Sequence, residues 1–281
     1  MKITANAKIN LILDVESKRP DGYHNVKMIM QTLEFGDTVT VNKSESGIHL
    51  NGSGSKLAYD STNLAYKSAE LFFGKTGIHG GADIYIEKKI PICAGLAGGS
   101  SDAAAVLILL NELYQKPLEE KKLLRLGALL GADVPFCIAK GTMLSEGIGD
   151  ILTPLRPFPK KTVLIVKPEI DVPTPWAYKS LKLDEITHPD SESAVRCIET
   201  GDTYKLYGIM ENVFEKPVFE KYPIVGIIKQ KMKDFGADAA LMSGSGPTVF
   251  GIFENPKLAG NAYNEFKNKY NETILTKSFN V

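Results

Sequence analysis

The sequence predicts an α+β fold of two domains. Strand-like and helix-like segments interleave, yet the early strand-like segments follow one another directly, which disfavours a doubly wound sheet. A proline-spaced stretch, Pro157-Phe158-Pro159-Lys160-Lys161, interrupts the pattern past the middle of the chain and marks a domain boundary. With 281 residues the chain can form one large domain or two modest ones around a sizeable apolar core.

Residues 3–14 are rich in β-branched and apolar types and read as a strand. Residues 26–34 and 37–43 read as two further strands joined by a Gly36-Asp37 turn. Thr62 and Asn63 can cap a helix running to about Gly74. A strand at 82–90 leads into a glycine-rich loop and a long apolar helix from about Ser100 to Leu113, followed by a helix from about Leu118 to Leu130 that ends at Gly131. The second half opens with a strand, Thr162-Val163-Leu164-Ile165-Val166-Lys167, and is then mostly helical. A second glycine-rich turn, Ser243-Gly244-Ser245-Gly246-Pro247-Thr248, enters a strand at 249–253; a helix at about 256–268 and a last strand complete the chain.

Charged residues make up 23 % and apolar residues 43 %, and Lys plus Arg equals Asp plus Glu at 33 each. A neutral total with no basic stripe argues against nucleic-acid binding, so an anionic ligand must be held by a local site. Cys93, Cys137 and Cys197 are far apart and odd in number, which argues against a disulfide framework and suits a reducing compartment. No apolar run is long enough to span a bilayer and the N-terminus lacks a signal-peptide core, so a cytoplasmic protein is expected. No obligate protein partner is evident.

The strongest local signal is the run Pro91, Ile92, Cys93, Ala94, Gly95, Leu96, Ala97, Gly98, Gly99, Ser100, Ser101, which feeds an apolar helix through Asp102. Glycines let backbone N–H groups close around an anion, and a helix start adds unpaired N–H groups and a positive dipole end. Ser100 and Ser101 can cap that helix and donate to phosphate oxygens; a plain serine-capped turn is the simpler alternative. Two better-known nucleotide motifs fail. Gly74-Lys75-Thr76 has Ala69 where a Walker loop needs glycine, and the loop lacks the spacing of dinucleotide folds. The turn at 243–248 is suited to pressing backbone against phosphates or against the first loop.

Three further features bear on chemistry. In Gly131-Ala132-Asp133-Val134-Pro135-Phe136 an acid sits between a helix-ending glycine and a strand-like segment, where it can accept a proton from a hydroxyl or be an ordinary turn aspartate. Strand periodicity puts Lys8 on one face with Asn6 and Asn10, a polar strip that suggests a wet cleft or a solvated edge. Arg19-Pro20-Asp21-Gly22-Tyr23-His24 presents an aromatic and an imidazole at a turn, as a nucleobase site or a hairpin tip would.

In order and spacing, the segments at 5–11, 91–101 and 242–251 resemble the three-part signature of the GHMP kinase superfamily. Tyr23 and His24 in Asp21-Gly22-Tyr23-His24, and the extended loop ending in Ser100-Ser101-Asp102, resemble one branch of it, along nearly the whole chain. Asn6 replaces a frequent proline and Ala97 a frequent glycine. The resemblance implies a two-domain α+β GHMP kinase fold with the active site in the interdomain cleft. Residues 1–156 would form the ATP-binding domain with the phosphate loop and catalytic residues, and 157–281 would complete the substrate site. It implies ATP as co-substrate with Mg2+, and a small-molecule acceptor, a cytidine-diphosphate-linked methylerythritol. Residue by residue, Asp133 matches the catalytic acid-base and Lys8 the catalytic lysine. Asn10, Tyr23, His24, Thr174 and Tyr178 match substrate-binding positions, with Tyr23 and Tyr178 on the two faces of cytosine. The metal ligands stay unassigned.

Overall fold

Two long strands, β1 (Lys2–Lys18) and β2 (His24–Ser44), open the chain and pair with each other. The computed structural model describes residues 1–54 and 57–280. The chain forms two compact units built from interleaved segments. The first holds residues 1–7, 35–90 and 97–139, and the second holds 8–34, 91–96 and 140–281.

β2 is one strand where two joined by a turn were expected. Gly36 does not turn the chain: a Cβ there would lie 2.3 Å from the Ala5 carbonyl oxygen, so glycine permits a close backbone crossing within the strand. Asp37 is buried and accepts the N–H groups of Lys89 and Ile90 at 2.5 and 2.7 Å.

In the first unit β3 (Gly47–Ser53), α1 (Leu64–Thr76) and β4 (Gly81–Glu87) follow. β4 pairs antiparallel with the second half of β2 and parallel with β3, so α1 is the crossover that a parallel pair requires. Asn63 caps α1 by accepting the Ala65 N–H at 2.9 Å, and Gly77 closes it in the left-handed region, φ 66°. Gly74-Lys75-Thr76 lies in the last turn of α1, away from any phosphate-loop geometry. α2 (Gly98–Leu113) packs on α1 and on α3 (Glu120–Leu130) and α4 (Val134–Ala139). The strand-like segment expected after Asp133 is therefore the short helix α4. Pro135 fits its first turn, where no intrahelical N–H is needed, and Val134, Phe136 and Cys137 are buried.

In the second unit the first half of β2 pairs with β5 (Thr142–Glu146), which pairs with β6 (Ile151–Pro154). A second sheet of four antiparallel strands uses β7 (Thr162–Lys167), β8 (Ala239–Met242), β9 (Val249–Phe253) and β10 (Glu272–Lys277) in the order β10-β7-β9-β8. Between β7 and β8 come α5 (Thr174–Ser180), α6 (Ser191–Thr200), α7 (Thr203–Ile209), α8 (Glu215–Lys221) and α9 (Pro223–Asp234). α10 (Pro256–Phe266) and α9 cover the sheet, burying Leu164, Val166, Phe250, Ile252 and Phe266. The stretch 157–161 lies in this unit. Phe158 is buried, and the Pro159 carbonyl accepts the Ser278 hydroxyl at 2.8 Å. Among the described residues no helix is long and apolar enough to cross a membrane.

Candidate active site

In the second unit the polar strip of β1 meets both glycine-rich turns. Lys8 and Asn10 are buried, where a wet strip was expected, and Lys8 Nζ donates to Asn10 Oδ1 at 2.7 Å. The same oxygen accepts the Gly244 N–H at 3.0 Å. The Lys8 N–H donates to the Leu96 carbonyl at 3.2 Å, and Ser243 Oγ donates to the Gly95 carbonyl at 2.9 Å. The turns touch backbone to backbone: a Cβ on Gly95 would stand 2.1 Å from the Ser243 oxygen, and one on Gly244 would stand 3.1 Å from the Gly95 oxygen. Both glycines have positive φ, 70° and 57°, so they supply conformation as well as space. The expectation that the late turn presses on the first loop is thus met. Of that loop in this unit, Pro91, Ala94 and Leu96 are buried, Ile92 is half-buried, and Cys93 is exposed with φ 52°.

Two rings of this unit meet Tyr178 on α5. The ring of His24 stacks on Tyr178 with centroids 4.9 Å apart, and Phe214 meets Tyr178 edge-on at 4.9 Å. Tyr23 is 61 % exposed. Burial, and secondarily Lys18, holds the His24 imidazole below its usual range, which favours the neutral ring as a hydrogen-bonding edge. Thr174, exposed at the start of α5, lies with its hydroxyl 3.0 Å from that of Ser245.

In the first unit the remaining loop residues begin α2. The helix starts at Gly98, and its cap is Ala97 in the left-handed region, φ 59°, with no side-chain hydrogen bond. Ser100 and Ser101 are therefore inside the helix and do not cap it. Ser101 donates instead to the Asn6 carbonyl at 2.6 Å and is buried, whereas Ser100 is half-buried and Gly99 exposed. Ala97 adopts a conformation that glycine takes without strain, which accounts for the glycine frequent there in the resembled pattern. Beside Gly98 a Cβ would lie 2.9 Å from Lys88 Nζ. That ammonium bridges Asp37 at 2.5 Å and Asp102 at 2.8 Å. Burial pushes the Asp102 carboxyl up to about 7 against the pull of Lys88, and its Oδ1 has no hydrogen-bond partner. Asp133, half-buried, precedes α4, and its carbonyl accepts the Cys137 N–H at 3.1 Å.

Sequence reasoning passed over the Asp37–Lys88–Asp102 cluster and two residues behind the late turn. Asn212 donates to the Met242 and Gly244 carbonyls at 2.7 and 2.9 Å, and Glu215 accepts the Met242 N–H at 2.9 Å. Asp102, charged at the head of an otherwise apolar helix, carried a usable signal. Asn212 and Glu215 carried none that is local.

Two family models match the chain, the N-terminal domain of GHMP kinases over residues 63–141 and their C-terminal domain over 194–272. The 4-diphosphocytidyl-2-C-methyl-D-erythritol kinase of Clostridium kluyveri is 44 % identical over 279 residues, covering 99 % of this chain and all of the relative. The enzyme of the same name from Acetivibrio thermocellus is 45 % identical over 279 residues, covering 99 % of each. A crystal structure of 4-(cytidine 5'-diphospho)-2C-methyl-D-erythritol kinase superposes with a TM-score of 0.86 at 33 % identity, covering both chains completely. With its two-domain mixed α and β fold, this chain belongs to the GHMP kinases, and among them to the 4-diphosphocytidyl-2-C-methyl-D-erythritol kinase family.

Proposed function

We infer that the chain transfers the γ-phosphoryl group of ATP to the C2 hydroxyl of 4-diphosphocytidyl-2-C-methyl-D-erythritol, giving the 2-phosphate and ADP in the methylerythritol phosphate route to isoprenoids. The full-length likeness to kinases of that name carries the reading. Another GHMP acceptor, homoserine or mevalonate, is set aside on the same ground.

The division of labour follows from charge and shape. An alcohol is a poor nucleophile, so a carboxylate that accepts its proton as the phosphoryl group arrives helps; we assign this to Asp133. Lys8 offsets charge on the transferred group, and its tether to Asn10 limits the orientations of its ammonium. Residues 91–101 hold the phosphates with backbone N–H groups, the head of α2 adding its positive dipole end. The cytosine stacks against aromatic faces, with His24 reading its polar edge; Tyr178 and Tyr23 supply the faces, and Asn10 and Thr174 complete the substrate contacts. Since His24 stacks on Tyr178 in this structure, a base entering that face has to displace or slide the imidazole. Among the described residues no group of three or more His, Cys, Asp or Glu side chains is placed to hold a metal. Mg2+ would accompany ATP and neutralise charge on the phosphates. Free thiols and a phosphorylated acceptor fit a cytoplasmic enzyme.

The substrate is tested by ADP release with the cytidine-linked methylerythritol, homoserine and mevalonate in parallel; turnover of either of the latter two at comparable kcat/KM would overturn it. The role of Asp133 is tested by single-turnover phosphoryl transfer at saturating substrates. Asp133→Asn should lower the rate by roughly 10²–10⁴. A near-normal rate removes Asp133 from the chemistry, and rescue by extra Mg2+ makes it a metal ligand instead.

A further inference from the structure

We propose that Asn212 is a positioning residue for Lys8, acting through the backbone of Gly244 and the carboxamide of Asn10. The proposal rests on the role given to Lys8 above. Asn212 is 3 % exposed and uses its side chain on three backbone groups. It donates to the carbonyls of Met242 and Gly244, at 2.7 and 2.9 Å, and accepts the Phe214 N–H at 3.0 Å. The two carbonyls flank Ser243, so one amide fixes both ends of the peptide stretch that orients the Gly244 N–H.

That N–H decides how Asn10 stands. Two donors, Gly244 N at 3.0 Å and Lys8 Nζ at 2.7 Å, converge on one Asn10 atom, and only the carboxamide oxygen can accept both. Among the described residues, the other end of the amide has as hydrogen-bond partner only the sulfur of Met28 at 3.4 Å, a weak acceptor. Without the Gly244 N–H, little but Lys8 itself opposes rotation of the amide, and a flip would set an NH₂ group against the ammonium. The arrangement is indexed to the strand that carries Lys8. The Leu13 N–H donates to the Glu211 carbonyl at 2.9 Å, and the Val213 N–H donates to the Leu13 carbonyl at 3.1 Å, which clips Asn212 alongside β1. Gly244 also lies beside the ammonium itself: a Cβ there would stand 3.4 Å from Lys8 Nζ.

The test is a kinetic cycle on the full chain with Asn212→Ala, Lys8→Ala and the double variant, assayed where thermal melts show each to be folded. Gly244→Ala disturbs the same link from the other side and replaces Asn212→Ala if that variant does not fold. Val218→Ala, a core change on α8, controls for lost stability. Asn212→Ala should lower kcat on the order of 10²-fold, as small misplacements of catalytic groups do, with both KM values little changed. In the Lys8→Ala background it should add almost nothing, because its effect runs through Lys8. Unchanged kcat in folded Asn212→Ala, or a full multiplicative loss in the Lys8→Ala background, overturns the proposal while leaving the role of Lys8 standing. Undiminished turnover by Lys8→Ala removes the role of Lys8 and this proposal with it.

Discussion

Replacing Asp102 by asparagine should flatten the pH dependence of folding stability between about pH 4 and about pH 8. Lys88 Nζ serves two carboxylates, Asp37 at 2.5 Å and Asp102 at 2.8 Å, so full ionisation leaves a surplus negative charge in a buried cluster. Burial is the largest influence on Asp102, Lys88 opposes it and Asp37 adds to it, and the carboxyl ends at about 7 instead of 3.8. Between those values the folded protein holds a proton that the unfolded chain has released. The stability tied to this proton is therefore fully present below 3.8 and is lost as the pH rises through about 7. One pKa unit corresponds to about 1.4 kcal/mol, which sets a ceiling of roughly 4 kcal/mol on the loss. Asparagine keeps the shape and an acceptor for Lys88 and removes the surplus charge at every pH. Urea unfolding followed by circular dichroism should find the wild type and Asp102→Asn closest at about pH 4, with the variant increasingly the more stable as the pH rises to about 8. Parallel profiles for the two proteins would refute the assignment of this proton to Asp102.

Two further predictions bear on the second unit. Gly95→Ala should destabilise by roughly 2–5 kcal/mol, combining left-handed strain with a forced shift of backbone. Gly22→Ala, at φ 88° with no atom within 4 Å of the added methyl, should cost only the backbone part; equal melting shifts for the two would show that the contact of Gly95 with Ser243 is unimportant. Tyr178→Ala should weaken binding of the cytidine-linked substrate by roughly 1–3 kcal/mol, as loss of a stacking face does, and leave ATP affinity intact. Equal losses for both ligands, measured by calorimetry, would place Tyr178 outside the cytosine site.

Much of this architecture was legible because it follows local rules. The cap at Asn63, the unbroken apolar run of β7 and the glycine-rich entry to α2 are each decided by a few neighbouring residues, and the chain obeys them. The misreadings share a cause: a local signal was overruled by a partner distant in sequence. Gly36-Asp37 looks like a turn, yet Gly36 is present because Ala5 crosses it and Asp37 because Lys89 and Ile90 need an acceptor. Val134-Pro135-Phe136 looks extended, yet α4 buries those residues against α2 and α3, and proline is tolerated because it falls in the first turn. Ser100 and Ser101 have the composition of a cap, but the chain enters the helix through a left-handed Ala97, and Ser101 turns to the carbonyl of Asn6.

The candidate site divides along the same line. Residues proposed to meet ligand carry particular chemistry, so Lys8, Asp133, His24 and the glycine-rich loop stand out as residue types. Residues that hold those groups in place need only a donor or acceptor at the right point, which many types in many places can supply. Asn212 has no motif because its task is defined by two carbonyls at 242 and 244 and by a strand that ends long before it in the sequence. Lys88 is similarly inconspicuous at the end of a strand rich in charge, although it is the cation between two buried carboxylates. A lysine with two such partners cannot be exchanged as a surface lysine can. Removing it would leave two desolvated carboxylates without a counter-charge, typically a loss of about 3–5 kcal/mol, whereas Asp102→Asn removes the charge that burial already disfavours. The opposite signs expected for those two substitutions separate an ion pair that stabilises the head of α2 from one that merely occupies it.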